Sequence, residues 1–588
     1  MGNILGISGL ENAVPFKRAH WPALDPREYR ISQGHDAAAA LIRGGKLAGA
    51  AAEERFNRRK HSAEFPIGAA SYCLAAGGIT TDQVDEIAHG FDYSPYRKIY
   101  SLDPLTAEQY RRVFSREALL ELVAKHFPGF PPDNVHQVDH HLAHAASAYF
   151  TSGWDECPVV VIDAMGEVQS VTIYRGRDGK LEKLREISAS QSIGILYSLV
   201  TLHLGFEFNS DEYKIMGLAP YGRPERFRAF FDQLVGLGKD GSIGIPVLGL
   251  NRTRDERESY SATRRYLHEN LIPRRLPDEE ITGDHMDVAA ALQECLERVV
   301  THLCCLAGTL SGLRRIALAG GVALNCTANG KLIQSGLFDD VYIQPVAGDD
   351  GVALGAALYR ASLRGEVENT RFPAPLFGPA YSSERIEADL GAFLGRVDVV
   401  RFQTLEETCA NVAELIPAGK VIAWYRGRME YGPRALGNRS ILADPAHPEM
   451  RDRINAMVKK REAFRPFAPA VTVEQAPLWF EVPAGTEMPY MVTTVNVREQ
   501  HRGNLPAITH VNGSARVQTV SDRDNPDFYR LLKSVGQATG REMVLNTSFN
   551  VRGQPIVNTP REAIETFLGT GIDYLFLENI RIGRRGAV

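Results

Sequence analysis

The chain has 588 residues, 44% of them hydrophobic and 23% charged, with a net charge of −5. That length exceeds what one hydrophobic core serves, so two or more domains are expected, and the mild acidity excludes a global basic field that would recruit nucleic acid. Seven cysteines without a CxxC pair, no basic-then-apolar leader and no apolar run of membrane-spanning length predict a soluble cytoplasmic protein with no membrane partner.

In chain order, ILGIS near the start reads as a short buried strand, and AAAALIRGGKLAGAAAEE as strand, Gly-Gly hairpin, strand. The basic run RFNRRKH at 55–61 reads as a solvated face. Helical stretches are expected at 65–77 and 193–204. CPVVVIDAMGEVQSVTIYRGRDGKLEKLREI repeats the first plan with an Asp-Gly hairpin. Two similar α/β lobes are therefore expected in the first half. The Pro- and Gly-rich segment 362–380 reads as a linker. A second α/β region follows, with strands at KVIAWYRG, PAVTV and EMVLNTSF.

VDHHLAHAASAYF at 138–150 holds three of the sixteen histidines. Its alanines favour a helix, and in a helix His140 and His144 share a face while His141 points about 100° away. Two imidazoles alone do not make a metal site. Asp163 ends a strand, where turn formation is the plain alternative. Asp349 and Asp350 open a small-residue helix, where capping is the plain alternative. Two histidines with one or two of these aspartates would make a mixed nitrogen–oxygen site suited to iron, manganese or zinc.

IALAGGVALNCTANGKL at 316–332 runs strand, Gly-Gly turn, helix start, which lets backbone amides approach a nucleotide or simply pack tightly. EYKIMGLAPYG at 212–222 offers Lys214 beside another small turn. The second half carries GRMEYGPRALGNRSILADP, VKKREAFRPFAP, NGSARVQTV and NTSFNVRGQP. Arginines flanked by Gly, Pro and aromatics suit a bidentate grip on phosphate or carboxylate. Ser548 and Asn550 could add hydroxyl and amide donors, or form a turn.

Together HHLAHAASA, VVIDAMGE, KIMGLAPYG, AGGVALN, GDDGVALGAA, EYGPRALGNRSILADP, FRPFAP and NTSFN stand in the order seen in the nodulation-protein-U and cephem-carbamoyltransferase family, which the chain resembles over nearly its whole length. The resemblance implies an α/β protein of two domains. Residues 1–365 would be an actin/Hsp70/sugar-kinase-like domain, similar to the threonylcarbamoyl-transferase class, and 376–588 a YrdC-like α/β domain. It implies that carbamoyl phosphate and ATP give carbamoyl-adenylate, whose carbamoyl group passes to a hydroxyl or amine of a small-molecule acceptor. His140, His144, Asp163 and Asp349 would hold one divalent metal, Fe(II) first, with zinc or manganese as alternatives and magnesium accompanying ATP. Lys459, Arg465, Arg516, Asn546 and Ser548 would bind carbamoyl phosphate. Asp163, Gly320, Gly321, Asn325 and Asp350 would contact the adenylate, and His35 in GHDAAAAL would act as general base toward the acceptor. A homodimer is compatible with the family, and no nucleic-acid partner is expected.

Two departures stand out. About twenty extra residues, ENAVPFKRAHWPALDPREYRIS, separate the first strand from the His-Asp motif and border the expected acceptor cleft. Ala164 follows Asp163 where the family commonly has glycine. The competing readings are a threonylcarbamoyl-type tRNA-modifying enzyme, a sugar or small-molecule kinase, and a non-catalytic binding module.

Overall fold

The computed structural model describes residues 2–586 apart from 460, 461 and 463, and of Lys459 the backbone alone. The chain divides into two compact units: 1–57 with 61–372, and 58–60 with 373–588.

Unit 1 is an internal duplication. Its first sheet contains β1 (Asn3–Ile7), β2 (Ala38–Arg43), β3 (Lys46–Ala52), β4 (Glu86–His89) and β5 (Val135–Gln137), in the order β3-β2-β1-β4-β5. The second contains β6 (Glu156–Ile162), β7 (Gln169–Arg177) and β8 (Lys180–Ser188). It adds Arg315–Ala319 and then Asp340–Ile343 on the far side of β6. In both sheets three antiparallel strands are followed by two parallel ones. The two hairpins use the same chemistry: Gly44 and Gly45 have φ of 57° and 78°, Asp178 and Gly179 have 50° and 72°. Consecutive left-handed residues match the twist of the flanking strands, which is why the sequence spends Gly-Gly and Asp-Gly there.

Burial follows the pairing. β6 is apolar from Cys157 to Ile162 and lies between β7 and Arg315–Ala319, as expected of a strand covered on both faces. Helices Ile67–Gly77 and Ile193–His203 stand where their sequences predict them.

The extra segment between β1 and β2 folds as a helix, Ala13–His20, and a single-turn helix, Pro26–Arg30. Lys17 and Trp21 tie it to the 254–259 region: Lys17 Nζ donates to the Glu258 carbonyl at 2.6 Å and Trp21 Nε1 to Asp255 at 2.8 Å. Arg30 pairs with Glu207 at 3.1 Å, and Arg264 with Glu28 at 2.5 Å. The insertion therefore fastens the first lobe to elements of the second.

Unit 2 is built on an eight-stranded mixed sheet. Its strands run Val397–Arg401, Ile580–Arg584, Tyr574–Leu577, Ile422–Tyr425, Arg439–Ala443, Met543–Ser548, Ala468–Thr472 and Gln518–Val520 across the sheet. Strand alternation sorts the core. Ile422, Trp424, Leu442, Val544 and Phe576 meet helices Leu405–Leu415 and Pro526–Thr539 on one face. Tyr425, Ile441, Leu545, Leu575 and Leu577 meet helices Ser383–Gly391 and Pro560–Leu568 on the other. No described helix is long and apolar enough to cross a membrane.

Candidate functional site

The first cluster grows from a helix start. Asp139 accepts the Leu142 N–H at 2.8 Å and so caps helix His140–Ser152, placing both ligand-type histidines in its first turns. A second helix, Asp350–Leu363, crosses it closely: a Cβ on Gly355 would stand 1.7 Å from the Ala143 carbonyl oxygen. Only glycine permits that approach, and it brings Asp349 up to the histidine face. Asp349 sits at the N-cap position yet makes no capping bond, so its carboxylate is spent on the histidines rather than on its own helix.

There the ligand-type atoms of His140, His144, Asp163 and Asp349 all lie within 4.8 Å of one another. His140 Nε2 stands 3.5 Å from Asp163 Oδ2 and 3.5 Å from Asp349 Oδ1, and His144 Nε2 is 3.6 Å from Asp349 Oδ1 and 3.2 Å from His140 Nε2. Ligands about 2.0–2.2 Å from one ion stand roughly 3.0–3.6 Å apart, so these spacings fit a single metal. His140 Nδ1 donates to the Gly90 carbonyl at 3.1 Å, which fixes the tautomer and aims Nε2 at the carboxylates. Phe91 stacks on the same ring at 4.2 Å.

Electrostatics agree. Burial alone would keep His140 neutral, but Asp349 and Asp163 overcome it and hold its pKa well above the ordinary imidazole value. Burial would likewise raise Asp163, yet the His140 bond and the neighbouring histidines pull it far below the carboxylate range. One buried and one half-buried carboxylate leaning on two buried imidazoles are a site that wants a cation. His141 takes no part: its Nδ1 meets Thr172 Oγ1 at 2.8 Å, and burial drives its pKa well down.

Asp163 also meets the Gly-Gly turn. Gly320 has φ of 88°, and a Cβ there would stand 2.3 Å from the Ile162 carbonyl oxygen. Asn325 does what a cap does: its Oδ1 accepts the Ala328 N–H at 3.0 Å and its amide exchanges bonds with Gln293 at 2.9 and 3.0 Å. Asp350 is buried, and burial together with Asp36 and Glu54 pushes its pKa well up. Lys214 pairs with Asp211 at 2.9 Å, next to Phe206.

Sequence reading missed Glu167. Its Oε1 accepts the N–H groups of Asp92 at 2.7 Å and His140 at 3.0 Å, so it ties the helix start to the end of β4. Burial pushes its pKa up to about 8. The signal was present in VVIDAMGE, four residues after Asp163.

The basic run at 55–61 is only in part the solvated face its composition suggests, Arg59 being exposed. Arg55 is buried against Glu54, and His61 bonds Asp36. A carboxylate on each side of the run draws it inward. His35 is buried as well: its Nε2 meets Ser32 Oγ at 3.0 Å and its Nδ1 the His61 carbonyl at 3.4 Å, and burial lowers its pKa.

In unit 2 strand order gathers a second group. Met543–Ser548 runs antiparallel to Ala468–Thr472, which runs parallel to Gln518–Val520. Asn546 and Ser548 thus finish their strand at the end of the sheet where Arg465 and Arg516 precede theirs. Asn546 Nδ2 donates to Gln518 Oε1 at 2.9 Å and to the Ala435 carbonyl at 3.3 Å, and Ser548 Oγ donates to Asn550 Oδ1 at 2.6 Å. Arg465 Nη1 lies 3.7 Å from Glu462. The Lys459 side chain lies outside the described residues.

For Arg439 of the GPRALGNRS block the structure corrects the expectation of an anion grip. It is fully buried, donates to the carbonyls of Arg426, Asn438, Pro379 and Gly427 at 2.9–3.2 Å, and lies over the Tyr425 ring at 3.6 Å. Neighbouring Glu430 Oε1 accepts the N–H groups of Leu436, Asn438 and Arg439 at 2.7–3.1 Å. Both hold the loop together.

Comparison with known proteins matches residues 30–358 to the carbamoyltransferase N-terminus and 413–584 to the carbamoyltransferase C-terminus. The chain is similar to nodulation protein NolNO of Sinorhizobium fredii, with 39% identity over 99% of this chain and 83% of that protein. It is also similar to nodulation protein NolO of Bradyrhizobium diazoefficiens, with 41% identity over 76% and 79%. Streptomyces clavuligerus 3'-hydroxymethylcephem-O-carbamoyltransferase matches at 37% identity over 41% of this chain and 43% of its own. With both family halves matched in order and a relative aligned over 99% of this chain, the chain belongs to the carbamoyltransferase family and is a carbamoyltransferase.

Proposed function

We propose that the protein activates carbamoyl phosphate with ATP and hands the carbamoyl group to a hydroxyl of a small molecule. The observation that carries this reading is the convergence of His140, His144, Asp163 and Asp349 beside the Gly320–Gly321 turn in a chain of this family. Water first cleaves carbamoyl phosphate, giving carbamate and inorganic phosphate. Carbamate oxygen then attacks the α-phosphorus of ATP, pyrophosphate leaves, and the mixed anhydride carbamoyl-adenylate forms. Its AMP is a far better leaving group than hydroxide. The acceptor oxygen next attacks the carbamoyl carbon, the bond to the adenylate oxygen breaks, and AMP departs.

Unit 2, read as YrdC-like, is assigned the first stage. Arg465, Arg516, Asn546 and Ser548 supply donors at one end of the strands, and Lys459 precedes them in sequence; fixed cations stabilise the charge that builds in each phosphoryl step. Unit 1 is assigned the second, its doubled sheet being the arrangement expected of the actin/Hsp70/sugar-kinase class. Here the Gly321 N–H donates to the Asp163 carboxylate and so ties the Gly-Gly turn to the cluster. His140, His144, Asp163 and Asp349 would hold one divalent ion, Fe(II) by choice of ligands, with zinc or manganese also suited. When bound, the ion supplies Lewis acidity beside the carbamoyl carbonyl. An alcohol rather than an amine is favoured by the relative that carbamoylates a hydroxymethyl group.

The test is a screen of hydroxylated metabolites with carbamoyl phosphate and ATP, read by mass spectrometry. Product gaining one carbamoyl group, with AMP and pyrophosphate released, is expected; product gaining phosphate would establish a kinase instead.

A further inference from the structure

We infer that His61, held by Asp36, is the base that takes the proton of the acceptor hydroxyl, the part that sequence assigns to His35. The inference rests on transfer to a hydroxyl, as proposed above. Both ring nitrogens of His35 are already engaged. A carbonyl can only accept, so Nδ1 carries the proton toward the His61 carbonyl at 3.4 Å, and Nε2 stands 3.0 Å from Ser32 Oγ, whose single proton also has the Tyr29 carbonyl within reach at 3.1 Å. The hydroxyl comes from the end of the inserted segment. Both His35 nitrogens therefore face groups of the fold itself.

His61 is arranged otherwise. Its φ of 55° and the 59° of Asp36 are both left-handed, an uncommon pair of conformations for residues with side chains. Such backbone costs about 1–3 kcal/mol a residue and persists where surroundings over-determine it, commonly at functional sites. Two bonds do so here. The His61 N–H donates to Glu54 Oε2 at 3.0 Å, and its ring Nδ1 donates to Asp36 Oδ1 at 2.8 Å. A carboxylate only accepts, so Nδ1 keeps the proton and Nε2 presents the lone pair. That nitrogen is shielded from solvent and meets no hydrogen-bond partner among the described residues. A buried nitrogen left so is a group awaiting a donor.

The position suits the reaction. Gln33, three residues before Asp36, donates to the carbonyls of Met165 and Gly166 in the turn that follows Asp163. A carboxylate bonded to one imidazole nitrogen while the other faces a hydroxyl is the arrangement that makes histidine a general base. In the step, His61 Nε2 takes the hydroxyl proton as the oxygen–carbon bond forms. AMP leaves with the electron pair of the broken bond, and the imidazolium later yields its proton to water.

Asp36, Glu54 and His61 also lie within 4.8 Å of one another, as metal ligands could. Yet Glu54 Oε1 is bonded by Arg55 Nη1 at 2.6 Å and Oε2 by the His61 N–H, which leaves the dyad as the better account.

The test uses the full chain with His61→Asn, Asp36→Asn and His35→Asn. Two reactions are followed: carbamoyl-phosphate-dependent exchange of pyrophosphate into ATP, and transfer to water, glycerol and 3'-hydroxymethylcephem as acceptor probes. His61→Asn should keep exchange within about threefold and lose transfer by roughly 10²–10⁴, the usual worth of a general base. Asp36→Asn should lose transfer about tenfold or more with His61 still present, which serves if His61→Asn fails to fold. Transfer retained in both, or lost only in His35→Asn, overturns the inference. So does equal loss of exchange in His61→Asn, or loss of a second bound metal equivalent in that variant. Absence of exchange in the unmodified protein would sink the adenylate route instead, and His61 would still be judged on transfer.

Discussion

Asp163 Oδ1 accepts the Gly321 N–H at 2.9 Å while its Oδ2 faces His140, so one carboxylate joins the Gly-Gly turn to the histidine cluster. The turn's geometry is thereby part of the cluster's geometry. Gly320→Ala would press a Cβ against the Ile162 carbonyl at 2.3 Å in a left-handed conformation. A cost of about 1–3 kcal/mol is expected from the backbone alone. Metal affinity should fall with it, because Asp163 follows Ile162 directly. Calorimetric unfolding with and without added Fe(II) checks both; unchanged metal affinity would uncouple turn from cluster.

The cluster itself makes the next prediction. His144→Ala and Asp349→Asn should each abolish binding of one divalent ion, since Asp349 is the carboxylate that stands near both imidazoles. His141→Ala should leave the ion bound, as its ring faces Thr172. Metal analysis of anaerobically purified protein reads the outcome, and full occupancy in His144→Ala would remove the assignment. Zinc or manganese in place of iron would revise only the ion's identity.

The histidine pair and the strand that ends at Asp163 were legible from residue type and spacing: HxxxH states its own period, and VVVID announces a buried strand with an acid at its end. The duplication was legible too, because Gly-Gly and Asp-Gly hairpins leave a trace that long-range pairing does not. The basic run at 55–61 was misread in part, for a physical reason. Charge runs signal solvent only when no opposite charge waits in the fold, and Asp36 lies 25 residues away in sequence from His61. Glu167 and Arg439 were hidden likewise, because their partners are backbone groups that sequence cannot display.

Arg439 gives a prediction confined to unit 2. Replacing it with leucine removes four hydrogen bonds to carbonyls, of which those of Asn438 and Pro379 keep a backbone N–H partner while those of Arg426 and Gly427 lose the guanidinium. A loss of about 3 kcal/mol or more is expected, since each unpaired buried group costs roughly 1–3 kcal/mol. Arg439→Lys should recover part of it, one ammonium reaching fewer acceptors. Scanning calorimetry should show a lowered transition with metal binding in unit 1 unchanged. A neutral Arg439→Leu would mean that the arginine serves a ligand after all.

Glu53 supplies a pH dependence away from both clusters. Its carboxyl accepts the N–H groups of Ala69 at 2.8 Å and Gly68 at 3.2 Å, yet burial outweighs these bonds and raises its pKa from 4.5 to about 7. The folded state then binds the proton more tightly than the unfolded one. This contribution to stability is full below pH 4.5 and is lost as pH rises to about 7. Glu53→Gln should flatten that part of the profile in urea titrations between those limits. An unaltered slope would show that Glu53 ionises normally.

The last prediction separates the two units by chemistry. If unit 2 makes the adenylate and unit 1 spends it, variants of the two should fail at different stages. Lys459→Ala and Arg516→Ala remove positive charge expected at the carbamoyl-phosphate oxyanions. Each should cost roughly 2–4 kcal/mol of transition-state stabilisation, the loss seen when one oxyanion donor is removed. Both should therefore lose pyrophosphate exchange and, with it, transfer. His140→Ala and His144→Ala should keep much of the exchange and lose transfer, because the cluster acts after activation. The contrast should persist at saturating carbamoyl phosphate and ATP, where weakened binding no longer limits the rate. Histidine variants that lose exchange as fully as Lys459→Ala would require one shared site for both stages, and the division of labour between the units would fall.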